Sequence, residues 1–199
     1  MIEIITGLPG FGKTLNATNK ALKAMKKGKT VYSNYPIKGA IYVEDPFTLF
    51  GKVKNALIVI DEMSIVFDSL RLYQIPNRIW IELRQHRHDG VDILGTAQSI
   101  NDIAYPVRRL IQFEYNIFFK ALRLCMVHVK CPQPRGDQYG KRIWILKKKV
   151  WEYYDTNFKV EEESEESLEE LMEVENTYND FNELQNSLMF QSVRGLTNN

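Results

Sequence analysis

Apolar residues fall in short runs, separated by glycines, prolines and charged turns. Ile2-Glu3-Ile4-Ile5-Thr6 reads as a buried first strand, and residues 7–12 form a glycine-rich turn. Over 13–27 the period lengthens. Leu15, Ala21, Leu22 and Met25 gather on one side of a predicted helix, which Gly28 ends. Residues 30–34 and 40–44 read as short strands around Pro36 and Gly39. Asp45-Pro46 places a cap before a helix-opening proline and predicts a helix running towards Lys54. Residues 57–61 are an apolar run ending in acid, the pattern of a central parallel strand buried on both faces. A helix is predicted over 76–87, ended by Asp89-Gly90, and a buried strand over 91–97, stopping at Gln98-Ser99. Strands are predicted over 109–115, 122–130 and 142–151, the last two as a hairpin across a loop with Pro132, Pro134, Gly136 and Gly140.

Strands that alternate with helices imply an α/β fold: a three-layer sandwich with a largely parallel central sheet and a C-terminal β-hairpin. Ligands of such sheets bind beyond the carboxyl ends of the strands. After Lys159 the composition changes. The acidic run 161–175, with Leu168, Leu171, Met172 and Val174, reads as a helical or disordered arm outside the core.

The first strand end carries the most specific chemistry. Gly7-Leu8-Pro9-Gly10-Phe11-Gly12-Lys13-Thr14, with Leu15 behind it, matches the phosphate-loop pattern in full, between a strand and a helix. The glycines let backbone N–H groups curl around an anion, and the helix that starts there adds its positive end. Lys13 brings a charge to the β- and γ-phosphates of a bound nucleotide, and Thr14 offers a hydroxyl to Mg²⁺. The second strand end supplies Asp61, read as holding a water on Mg²⁺, and Glu62, read as polarising the attacking water. Gln98, at the third, is placed to reach the γ-phosphate or that water. Arg84 and Arg87 share a helix face and are candidates for an arginine finger into a neighbouring subunit. Arg108-Arg109 is a second such pair. His86-x-His88 does not share a helix face and lacks a third ligand, so metal is not expected there.

Charge divides the chain. Residues 1–160 hold 25 Lys and Arg against 14 Asp and Glu, whereas 161–199 hold one Arg against 11 acids. A basic body fits a phosphate-rich partner. Cys125 and Cys131 show no paired spacing, so neither disulfide nor zinc is expected and a reducing compartment is. No apolar run reaches the ~18 residues of a membrane helix, and no signal peptide is visible.

Taken together, the N-terminal Gly-Leu-Pro-Gly-x-Gly-Lys-Thr, Val59-Ile60-Asp61-Glu62, His86-Arg87-His88-Asp89-Gly90 leading into Thr96-Ala97-Gln98, and Tyr153-Tyr154-Asp155-Thr156 resemble the Zot (zonula occludens toxin-like) family. That family covers the assembly ATPases of filamentous phages and is related to the packaging ATPases of tailless, membrane-containing viruses. The resemblance implies an ATPase domain over 1–157 and leaves 158–199 as an acidic tail. It implies ATP and Mg²⁺ as cofactors and a homo-oligomeric ring acting on viral DNA or on capsid or coat proteins. Filamentous-phage members carry a membrane-spanning helix after this domain, where this sequence continues into the acidic run. The expectation is therefore a motor in the host cytoplasm or on the virion, with any membrane contact made through a bound assembly partner.

Overall fold

A computed structural model of the chain describes residues 1–154 except 69, 71 and 133–137, and only the backbone at 72 and 138. The expected domain boundary near 157 and the acidic run both lie outside the described residues. The element order alternates as the sequence implies. Strands β1 (Ile2–Gly7), β2 (Thr30–Ser33), β3 (Ile41–Tyr42), β4 (Ala56–Ile60), β5 (Asp92–Ala97), β6 (Phe113–Ala121), β7 (Leu124–Lys130) and β8 (Gln138–Ile145) form one sheet, ordered β3-β2-β4-β5-β1-β6-β7-β8. Every pairing from β3 across to β6 is parallel; β6–β7 and β7–β8 are antiparallel. Helices α1 (Lys13–Lys26), α2 (Met63–Val66), α3 (Asn77–Gln85) and α4 (Tyr105–Arg108) supply the outer layers.

Strand residues alternate between the two faces, and each face carries its own core. Ile2, Ile4, Ile58, Ile60 and Ile93 pack with Phe67, Ile79, Leu83 and Val107 on one side. Ile5, Leu57, Val59 and Leu94 pack with Leu15, Ala17 and Ala21 of α1 on the other. This double burial explains why β4 reads as an unbroken apolar run and why β1 and β5 are largely apolar. It also leaves their carboxyl ends as the places where polar side chains emerge.

Three expectations are corrected. Asp45-Pro46 opens only one 3₁₀ turn, Pro46–Leu49, with the Asp45 carboxylate accepting the Phe47 N–H at 2.8 Å. The chain leaves the helix at Phe50 (φ −64°, ψ 128°), whose ring is buried with Leu49 in the core. The strand expected at 109–115 begins only at Phe113 and runs on to Ala121, because Tyr105-Pro106 opens α4 and Arg108 and Arg109 sit at its end. β8 covers 138–145 rather than 142–151. Past Leu146 the chain turns into a 3₁₀ segment, Lys148–Tyr153, that buries Val150.

That segment closes beside β2. The Lys38 N–H donates to the Tyr153 carbonyl at 2.8 Å, Ile37 and Tyr154 form an antiparallel bridge, and the Tyr154 ring meets Tyr35 edge-on. Among the described residues no helix is long and apolar enough to cross a membrane.

Candidate functional site

β1 hands its chain to the loop at Gly7, whose N–H donates to the Gln98 carbonyl at 3.2 Å. Gly7 has φ 147°, and a Cβ there would lie 2.8 Å from the Ile117 carbonyl oxygen, so β6 leaves room for glycine alone. Leu8, Pro9 and Gly10 arch outward, and the loop returns at Gly12 in the left-handed conformation (φ 81°) as the cap of α1. The Gly12 carbonyl accepts both the backbone N–H (3.0 Å) and the side-chain amide (2.9 Å) of Asn16. Lys120 donates to the Gly10 carbonyl from β6. No described side chain caps the first turn of α1 and no acid lies in it, so its N-terminal donors are open to an anion. Lys13 lies at this point, 7% exposed.

The acid stands opposite. The Thr14 hydroxyl donates to both carboxylate oxygens of Asp61 at 3.1 Å. The Thr96 hydroxyl donates to the same carboxylate at 2.5 Å and accepts the Glu62 N–H at 3.0 Å. Asn34, at the end of β2, holds the Asp61 backbone on both sides. Its Oδ1 accepts the Asp61 N–H at 2.7 Å and its amide donates to the Asp61 carbonyl at 3.0 Å. Glu62 then takes the left-handed conformation (φ 47°, ψ 58°), a strained state for a residue with a side chain. Parallel pairing of β2, β4 and β5 brings these three strand ends together.

Burial raises the Asp61 carboxyl above the ordinary range, against the hydroxyls of Thr96 and Thr14 and the charge of Lys13. Glu62 is raised by burial first and by the Asp61 charge second, with Lys13 opposing. Asp61 thus costs the free protein stability. Because its folded pKa lies above the unfolded one, the folded state holds the proton more tightly. Stability therefore falls as pH rises from the ordinary carboxylate range through Asp61's raised one. Asp61→Asn, which keeps the shape and removes the charge, is expected to raise the Tm of nucleotide-free protein. The same variant is expected to lose Mg²⁺-dependent hydrolysis. Differential scanning fluorimetry beside a phosphate-release assay checks both.

Asn34 gives the opposite sign. It is 3% exposed, and Asn34→Ala strands two main-chain groups of Asp61, a loss of about 2 kcal/mol. A Tm lower by about 4–8 °C is expected, with a higher Mg²⁺ requirement for activity.

Asn34 and Thr96 were not singled out as site residues by the sequence. Thr96 had a signal, since it lies two residues before Gln98 on the same strand face. Gln98 itself is exposed, and the contact it makes here is through its main-chain carbonyl. Arg84 and Arg87 are exposed at the end of α3, and Arg87 lines a cavity of about 730 Å³ with Met1, Gly90 and Asp92. That is the amino-terminal edge of the sheet, about 20 Å of strand away from the loop. Neither arginine can touch a phosphate bound by its own chain. Arg108 donates to Asn101 at 3.1 Å. His86 is buried with Nδ1 2.6 Å from the Leu83 carbonyl, and His88 is exposed.

Fold and site together define a phosphate-loop α/β protein: glycine loop, buried lysine, hydroxyl-bound acid and adjacent glutamate at neighbouring strand ends. The family model described as zonular occludens toxin (Zot) matches residues 42–160, more than half of the chain, and the chain belongs to this family. The match begins beyond the glycine loop, so loop and family are separate observations. Putative assembly protein ORF301 of Pseudomonas phage Pf3 is 24% identical over 177 residues, covering 77% of this chain and 57% of that protein. The chain thus spans little more than half the length of that relative. The crystal structure of the N-terminal domain of zonular occludens toxin from Neisseria meningitidis has the same fold, with a TM-score of 0.61 at 20% identity over 77% of this chain and 98% of that one.

Proposed function

We propose that the chain binds and hydrolyses Mg-ATP at this site and couples hydrolysis to phage assembly, moving viral DNA or coat components. The observation that carries the reading is the double seating of Asp61 on the Thr14 and Thr96 hydroxyls, facing Lys13 across the uncapped start of α1. Such a geometry suits a hydrated divalent ion beside a polyphosphate. Glycine backbone and α1 would hold the phosphates, with Gly7, Leu8, Pro9, Gly10, Phe11, Gly12 and Leu15 forming the cradle. Thr14 and Asp61 would hold Mg²⁺, which would supply neutralisation of phosphate charge.

The chain's own residues do the rest. Lys13 neutralises phosphate charge. Glu62, raised in pKa and fixed by its strained backbone, orients the attacking water and accepts its proton. Thr96 ties the two acids, so a shift at one moves the other. Positioning and charge stabilisation are most of what phosphoryl transfer asks of a protein. Gln98 is a candidate γ-phosphate sensor. Arg84 and Arg87 fit only a role towards another copy in a ring.

The test is ATPase rate on the full chain with and without DNA, read beside its mass in solution. A motor acting on DNA gives a rate that rises several-fold with DNA, and DNA binding that weakens steeply between 50 and 200 mM salt. A DNA-indifferent rate would leave an ATPase whose work is on protein components.

A further inference from the structure

On the opposite side of α1 from the acids lies a groove of about 400 Å³ between α1 and β8. Its charge is one-sided. Lys20 and Lys23 of α1, and Arg142 and Lys147 of β8 and the segment after it, line it with Asn19 and Trp144, and no acid does. The spacing makes this a built surface. Lys20 and Lys23 are one helical turn apart, and Arg142 and Trp144 are two apart on one strand face.

Only Lys20 has an acidic partner here, Glu3 at 2.7 Å, and its ammonium sits 3.7 Å from the centre of the Tyr115 ring. Burial holds the Lys20 ammonium below its usual range. Glu3 opposes this, and the charges of Lys23 and Arg142 add to it, so the cations crowd one another. Lys23, Arg142 and Lys147 have no ion pair among the described residues. The half-buried Trp144 ring packs on Tyr115 at 5.2 Å and 41° and adds an aromatic wall.

Unneutralised cations along a track, with a ring set between them, match the two needs of an unpaired polynucleotide: phosphate contacts and a face for base stacking. A duplex would use only the first, since its bases are stacked on each other. We propose that the groove between α1 and β8 binds single-stranded nucleic acid, with Lys23, Arg142 and Lys147 on the phosphates and Trp144 stacking on a base. The proposal deepens the assembly reading and rests on it, because it places the polymer that the motor acts on. It also puts that polymer on the helix that starts at the phosphate loop, so strand occupancy and nucleotide state would share one rigid element.

Fluorescence anisotropy of a labelled oligothymidylate on the full chain, without nucleotide, tests this at 50 and 200 mM salt. Lys23→Glu with Arg142→Glu is expected to weaken binding at least ~10-fold and to flatten the log–log salt slope by about 1.4, two phosphate contacts' worth. Trp144→Ala is expected to weaken it at least ~5-fold with the slope unchanged. Lys38→Glu with Lys52→Glu, the same charge change elsewhere, should leave affinity within about twofold. Equal affinity for the groove variant and this control overturns the proposal. So does a duplex that competes as well as the single strand and ignores Trp144→Ala. Cross-links from Lys147 to the 161–175 acids, lost in the groove variant while oligonucleotide affinity stays at the parent value, would give the groove to the chain's own acidic run and also overturn it. Basal ATPase of the groove variant reports separately on the nucleotide site. Oligonucleotide binding through the groove without any ATPase in the parent would sink the proposed function and leave this inference standing.

Discussion

Lys13→Ala is expected to bind Mg-ATP at least ~100-fold more weakly than the parent, and to show no thermal protection by the nucleotide at millimolar concentration. Lys13 is 7% exposed, stands at the open end of α1 and is the positive charge that opposes the raised pKa values of both acids. Truncating one partner of a buried charge pair costs 2–5 kcal/mol, and a triphosphate brings several such pairs to this lysine. The loss is not one of folding. The apolar packing of α1 comes from Leu15, Ala17 and Ala21, with Leu22, Ala24 and Met25 beside them, and Lys13→Ala leaves all of these in place. Circular dichroism unchanged, with saturable binding gone in isothermal titration, is the expected pair of results. Parent-like affinity would mean that the loop holds no phosphate.

Glu62→Gln separates binding from turnover. The amide keeps size and backbone, so nucleotide affinity is expected to stay within about threefold, while kcat falls by ~10²–10⁴, the range for a lost general base. The pH profile gives a second readout. Glu62 must be ionised to accept a proton, and burial with the Asp61 charge raises its pKa. Parent kcat should therefore fall, as pH drops, at a higher pH than an ordinary glutamate would give. Glu62→Gln should lose that acid limb along with the rate. A variant that hydrolyses at the parent rate would remove Glu62 from the role of base.

The parts of this site that were legible in the sequence are those whose chemistry is local. A glycine loop between a strand and a helix needs its residues consecutive, so Gly7 to Thr14 stood in one line. Asp61 and Glu62 were legible because an apolar run that stops in acid is a buried strand surfacing. Thr96 and Asn34 act through pairing. Their roles exist only because β2 and β5 flank β4, and that order is a property of the sheet. The same limit hid the β6–β7 hairpin. Its turn runs through Leu122 at φ 52°, with no glycine or asparagine to mark it, so one long antiparallel pair read as two separate strands. Arg84 lies in the last turn of α3 and Arg87 in the turn beyond it, so the chain delivers this pair to the start of β5, away from its own phosphate loop.

The central claim is that one loop, one lysine and one hydroxyl-bound acid take up a magnesium-bound nucleotide. Equilibrium dialysis of radiolabelled ATP against the folded full chain, with Mg²⁺ and with EDTA, tests it most directly. The account predicts one saturable site per chain at submillimolar concentration, weakened at least ~10-fold when Mg²⁺ is removed. Folded protein that retains no label above background at millimolar ATP with Mg²⁺ would contradict it.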